Sequence, residues 1–268
     1  MLIWVKINKG MKKRLIYLRI FLIALSSTVA VVLLKYILHQ YNWEVIEQTS
    51  LHNSVISSVI FVIGFLLSAT IADYKESEKI PAEFASTVEN MYEDARSIHQ
   101  TYDKFDLDAF RRNLIDILAV FRDGARKDRH KARRKINELN EIFTEMEQSA
   151  KVPANFIVKL KQQQAQLLRS IFRINYIQKI KFIPSAFILA RSIVVIIIGL
   201  LIVTNIDPFY GGLALTGTIS FILIYMIVLI QTVSVPFHPE GKTQDDVSLF
   251  LLREATQHLS AEKTPKNK

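Results

Sequence analysis

The run from Ser54 to Ala72, SVISSVIFVIGFLLSATIA, holds nineteen residues without a charge. As a helix rising 1.5 Å per residue it is about 28 Å long, close to the hydrocarbon thickness of a bilayer. Its apolar surface is not uniform. Ser54, Ser57, Phe61, Gly64 and Ser68 recur at alternating steps of three and four and so form one stripe along the helix. A span that only had to dissolve in lipid would not require small and hydroxyl-bearing residues on one face. Two readings fit the stripe. Small residues let neighbouring helices approach closely. Alternatively, several copies of the helix surround an axis, where serines meet hydrated ions. Phe61, with Phe65 one step round the helix, would then form narrow apolar rings that gate by dewetting.

Three further runs repeat the length signal. Ile20 to Leu34 is apolar, with Arg19 and Lys35 placed to snorkel at its ends, so a first span is predicted over about residues 15–38. A cleaved signal peptide competes for this run, but the apolar residues continue past Ala30. A third span is predicted over about 184–206, with Pro184 at its first turn, and a fourth over about 213–235. The opening nineteen residues carry six Lys or Arg and no acid, which puts the N-terminus in the cytoplasm. An even number of spans returns the tail there too. The organisation is then a segment 1–72 carrying the first two spans, a cytoplasmic insert 73–182, the last two spans within 183–235, and a cytoplasmic tail 236–268.

The insert reads as a helical bundle. Phe84, Val88, Met91, Ala95, Ile98, Tyr102 and Phe105 keep a heptad stripe, and Asp106 and Asp108 offer N-caps for a helix with Phe110, Leu114, Ile117 and Phe121 inward. Ile136, Leu139, Phe143 and Met146 make a third stripe. Phe156, Leu160, Leu167, Ile171 and Ile174 make a fourth. The tail suggests one more amphipathic helix, with Val247, Phe250, Leu251 and Ala255 on one side. The fold class is therefore all-α: an integral membrane protein with four transmembrane helices and a cytoplasmic helical bundle.

Chemistry-bearing motifs are scarce. The chain has no cysteine, which excludes disulfides, thiolate metal sites and cysteine nucleophiles. There is no glycine-rich phosphate loop, HExxH or GxSxG, and no pair of the six histidines has metal-ligand spacing. Neither an enzyme nor a cofactor or metal is expected. The adjacent Asp245 and Asp246 are read as acids at a helix N-terminus. Arg122 to Lys135 packs eight Lys or Arg beside two Asp and His130. Arg126, Arg129 and Arg133 in that run are candidates for a solvated face, for anionic lipid headgroups, or for a vestibule that concentrates anions. Nucleic acid is the weakest partner, since no binding motif accompanies the charge. Arg191 lies inside the third apolar run, with fifteen uncharged residues before Asp207. It is expected to snorkel to the cytoplasmic headgroups rather than stay at mid-bilayer, where a charge costs roughly 2.5–3.5 kcal/mol.

With these residues in view, the chain resembles the bestrophin and bestrophin-like membrane proteins. FVIGFLLSATIADY at Phe61 to Tyr74 is similar to the bestrophin second helix, apolar and then Gly-Phe. The order of two spans, a long helical insert and two spans is the same. VPFHPEGKTQDDVSLFLL at Val235 to Leu252 looks like the bestrophin segment in which a Pro-Phe pair precedes a short acidic stretch and a helix. The resemblance implies a homopentameric ion channel whose second helices line a hydrophobic neck. Phe65 of the Gly-Phe pair and Phe61 one turn before it would form that neck, and Ser57 would stand where bestrophins usually have an apolar residue. Two departures remain. Asp73, Tyr74 and Lys75 replace the usual Arg-Trp-Trp run, and the tail lacks the dense acidic cluster of calcium-gated members. Neither calcium gating nor an ion preference follows.

The sequence thus points to an oligomeric, pentameric passive ion channel in a bacterial or archaeal cell (inner) membrane, with lipids, inorganic ions and further copies of itself as partners. Its pore would be lined by Ser54, Ser57, Phe61, Gly64, Phe65 and Ser68. The rival reading is a non-conducting membrane scaffold or sensor whose cytoplasmic insert binds a protein partner.

Overall fold

A computed structural model describes residues 18–124, 129–179, 184–237 and 247–262. The elements in chain order are α1 (Arg19–Gln40), β1 (Ile46–Glu47), α2 (Ser50–His99), α3 (Leu107–Gly124), α4 (Arg129–Asn137), α5 (Leu139–Gln148), α6 (Ala154–Lys179), α7 (Pro184–Val203), β2 (Thr204–Asn205), α8 (Phe209–Val233) and α9 (Phe250–Ala261). Four of these, α1, α2, α7 and α8, are long and apolar enough to cross a membrane. The chain is an all-α membrane protein. By contacts it divides into two compact units, Met1–Tyr74 with Ile180–Asp246 and Lys75–Lys179 with Val247–Lys268.

Helix α2 contributes to both units because nothing after Ala72 stops it. Charges end the uncharged run at Asp73, but a helix needs only unbroken backbone bonding. From Asp73 to Ile80 there is neither glycine nor proline, and the helix continues through Pro81 to His99.

The first unit buries one face of each span. Ile56, Val59, Ile63 and Leu66 of α2 meet Ala190, Val194, Ile197 and Leu201 of α7 and Leu223, Ile227 and Ile230 of α8. Steps of three and four put each set on a single helix face. Helix α1 lies mainly along α8, where Phe21 meets Phe221 edge-on with ring centroids 5.7 Å apart. Large apolar residues such as Leu22, Leu33, Ile188 and Ile196 stay exposed, as a lipid-facing surface requires. The connector between α1 and α2 is tied down by β1, which pairs in parallel with β2: Ile46 with Thr204 and Glu47 with Asn205. Sequence patterning gave no sign of this two-residue ladder. Gly212 packs so closely under the α7–α8 turn that a Cβ there would stand 2.6 Å from Ile206 Cβ and 2.8 Å from its carbonyl oxygen.

The second unit is a helical bundle around the predicted stripes. Phe84, Val88, Met91, Ala95 and Ile98 of α2 are buried with Phe110, Leu114, Ile117 and Phe121 of α3, and Phe84 stacks on Phe121 at 3.7 Å. Ile136, Leu139, Phe143 and Met146 are buried, as are Leu160, Leu167, Ile171 and Ile174, whereas Phe156 is exposed. Asp106 caps α3, its Oδ1 accepting the Ala109 N–H at 2.8 Å. Gln164, buried in α6, donates from Nε2 to the Ile136 carbonyl at 2.8 Å and so ties α6 to α4.

Two expectations need correction. The heptad stripe does not run unbroken to Phe105, because α2 ends at His99 and Phe105 is buried from a turn instead. The inward face of α9 is Leu252, Ala255 and Leu259 rather than one including Phe250, which is exposed at the first turn. Salt links close the helix seams. Lys159 Nζ and Gln163 Nε2 bond the Asp94 carboxylate at 2.7 and 2.8 Å, and Arg173 pairs with Glu76. The Arg173 guanidinium holds the Glu76 carboxyl below the usual carboxylate range.

Candidate pore-lining face

The uncharged part of α2 presents two opposed faces. One carries Ile56, Val59, Ile63, Leu66 and Thr70, all buried within the first unit. The other carries Ser54, Ser57, Phe61, Phe65 and Ser68, all exposed, with the two phenylalanines the barest at 76% and 73%. Gly64 sits at the edge of this face, half-buried, where a Cβ would reach Met226 Cε of α8 at 3.9 Å. Among the described residues, then, no helix of the same chain covers Ser54, Ser57, Phe61, Phe65 or Ser68, and close approach of a neighbouring span from the same chain does not account for these serines.

Local chemistry differs along the face. The hydroxyl of Ser54 donates to the Ser50 carbonyl at 3.2 Å, which leaves its oxygen turned along the helix. Ser57 and Ser68 have no partner among the described residues and keep both donor and acceptor capacity. Between them Phe61 and Phe65 project one turn apart. The sequence of surfaces is hydroxyl, aromatic, aromatic, hydroxyl.

The basic candidates are placed as follows. Arg126 lies outside the described residues, and Arg129 opens α4. Arg133 is exposed in the second unit with Cζ 5.5 Å from the Phe172 ring centroid. Arg191 is exposed in the first unit and lies over Phe187, one turn back on α7, at 5.3 Å. The Arg133 and Arg191 guanidiniums each rest on an aromatic face, a contact that serves to hold an exposed Arg. The acids at 245 and 246 lie outside the described residues.

A polar cluster that the sequence did not single out sits where the connector of α1 and α2 meets the α7–α8 turn. Lys35 does not snorkel; its side chain is only 1% exposed. Its Nζ donates to the carbonyls of Leu201 at 2.9 Å and Thr204 at 2.6 Å, and lies 3.2 Å from Glu44 Oε1. Leu201 is in the last turn of α7, whose final carbonyls lack helical partners, so the ammonium acts as a C-terminal cap. Glu44, 5% exposed, also bonds His39 Nδ1 at 2.6 Å through Oε2, and the imidazole stacks on Phe209 at 3.7 Å. A lone lysine within an apolar run, followed by an acid in a connector that has no Lys or Arg, was the only signal in the sequence.

No protein-family profile and no curated protein sequence matches the chain. Solved structures do. A bacterial bestrophin homologue from Klebsiella pneumoniae, in one point variant, superposes with a TM-score of 0.73 at 13% identity over 89% of this chain and 97% of that one. A second variant of the same homologue gives 0.73 at 14% identity, covering 89% and 96%. A structure described as a membrane protein gives 0.74 at 13% identity, covering 89% and 97%. The chain has the bestrophin fold.

Proposed function

We propose that the chain is one protomer of a closed homo-oligomer, five-membered as the bestrophin resemblance implies, that passes inorganic ions through an axial pore lined by α2. The observation that carries this reading is the bare stripe. A helix packed along one face by Ile56, Val59, Ile63 and Leu66 leaves serines and two phenylalanines uncovered on the other. Lipid contact does not require hydroxyls, whereas Ser57 and Ser68 have hydrogen-bonding capacity to offer water. Phe61 and Phe65, repeated round an axis, make an apolar constriction in which a continuous water column is costly. The constriction would act as the neck.

The setting follows from charge. The basic N-terminal segment stays in the cytoplasm of a bacterial or archaeal cell, and four spans return the tail to the same side. Arg126, Arg129 and Arg133 would then enrich anions, or anionic headgroups, near the cytoplasmic entrance.

The test is flux. Purified protein in liposomes passes ions, and Phe61→Ala raises the rate by shortening the apolar constriction. Particle mass measured in the same detergent gives a ring stoichiometry. A monomer or dimer without flux, holding a stoichiometric cytoplasmic partner in a pull-down, would establish a membrane scaffold instead.

A further inference from the structure

Several hydroxyls on or next to the spans satisfy themselves on the carbonyl one turn back: Thr70 on Leu66 at 2.8 Å, Thr204 on Leu200 at 2.7 Å, Thr218 on Ala214 at 2.9 Å and Thr232 on Val228 at 2.9 Å. Three buried ones do not. The hydroxyls of Thr28, Thr216 and Ser220 have no hydrogen-bond partner among the described residues, in residues only 8%, 0% and 0% exposed.

They lie on two helices packed along each other, α1 and α8. Ala24, Thr28 and Lys35 are the buried residues of α1, and Lys35 reaches the carbonyls at the end of α7. Thr28, seven residues earlier, is on the same helix face and turns toward the same junction. On α8, Thr216 and Ser220 head the buried stripe that continues as Leu223, Ile227 and Ile230, and those three pack with α7. Four contacts bracket the register of α1 on the antiparallel α8: His39 and Tyr36 with Phe209, Val32 Cγ2 with the Cβ position of Gly217, and Phe21 with Phe221. They set Thr28 level with the stretch of α8 that holds Thr216 and Ser220. From the connector end inward, the junction of α1, α7 and α8 therefore holds Glu44 and Lys35, then Thr28, Thr216 and Ser220. Beyond them the stripes become apolar at Ala24 and Leu223.

We propose that Thr28, Thr216 and Ser220 form a binding site for internal water within each protomer, separate from the bare face of α2. A buried hydroxyl without a partner costs free energy, and three in one junction compound that cost, unless something bridges them. Polar buried sites hold water, which typically makes about three hydrogen bonds, the number of hydroxyls offered here. A neutral ligand fits best. Lys35 at the junction is already met by Glu44 and two carbonyls.

The experiment is thermal unfolding of the full chain in detergent, comparing Thr28→Val, Thr216→Val and Ser220→Ala with the parent. A water-bridged site predicts that each substitution lowers the midpoint by about 2–4 °C, because the bridging water loses a partner. A dry site predicts the reverse, a raised midpoint, since each change deletes an unsatisfied hydroxyl. An unchanged midpoint counts against the site equally. Thr218→Val, where the hydroxyl is exposed and bonded to its own helix, is the control. A high-resolution density map of the parent decides the matter independently of whether the variants fold. A peak within hydrogen-bonding distance of these hydroxyls supports the site. Hydroxyls rotated onto the carbonyls one turn back, with no peak, overturn it.

Discussion

Lys35→Met is the sharpest probe of how the first unit is held together. Methionine keeps most of the side-chain length but removes the charge and all three donors. It strands the Leu201 and Thr204 carbonyls and leaves Glu44, 5% exposed, with only His39. Breaking a buried pair by deleting one partner costs about 3–5 kcal/mol, because the remaining charge stays out of water. With every 1.4 kcal/mol worth a factor of ten, the ratio of folded to unfolded protein should fall by roughly two to more than three powers of ten. The assay is reversible unfolding in mixed dodecyl maltoside and dodecyl sulfate micelles, followed by circular dichroism. Lys35→Met/Glu44→Gln should recover part of the loss. The two changes remove opposite members of one pair, and their coupling should be about 0.5–3 kcal/mol. A Lys35→Met variant within about 0.5 kcal/mol of the parent would refute the reasoning, since that is the behaviour of an exposed side chain.

Other consequences are equally direct. Gly212→Ala should lower stability by about 1–3 kcal/mol despite alanine's better helix propensity, because the new methyl meets the Ile206 carbonyl oxygen at 2.8 Å; the thermal midpoint reads it. Asp106→Ala should cost about 0.5–2 kcal/mol by freeing the Ala109 N–H at the start of α3, seen in chemical unfolding. Tyr92 is buried and bonded to Glu262, which together push its phenol up to about 12 from an ordinary value of 10. Its contribution to stability is therefore complete below pH 10 and lost as pH rises from 10 through 12. Ultraviolet titration of the parent against Tyr92→Phe should show one phenol ionising late.

What the sequence disclosed was whatever repeats within a single helix. The second-span stripe, the inward sets of α3 to α6 and the cap at Asp106 all depend on neighbours within a few residues, and period alone orients them. What it concealed depends on distant partners. Lys35 reads as an interfacial lysine because its immediate neighbours are Leu34 and Tyr36, whereas its carbonyl partners come 166 and 169 residues later. The face of α9 was misjudged because Phe250 is the first residue of that helix, where hydrophobicity says little about direction. The β1–β2 ladder has two residues per strand and no alternation to detect. Thr28, Thr216 and Ser220 resemble the self-satisfied hydroxyls elsewhere on the spans until their partners are sought.

The Lys35 contacts also set a schedule for synthesis. A ribosome adding about 5–20 residues per second needs roughly ten to thirty seconds to pass from Lys35 to Thr204. Throughout that interval the first span is in the membrane with its lysine met by Glu44 alone, and the connector has no ladder to join. The half-made protein therefore carries an ammonium whose two carbonyl partners arrive only after the cytoplasmic insert has been made. Truncated or stalled chains therefore lack two of the three contacts that hold this buried ammonium.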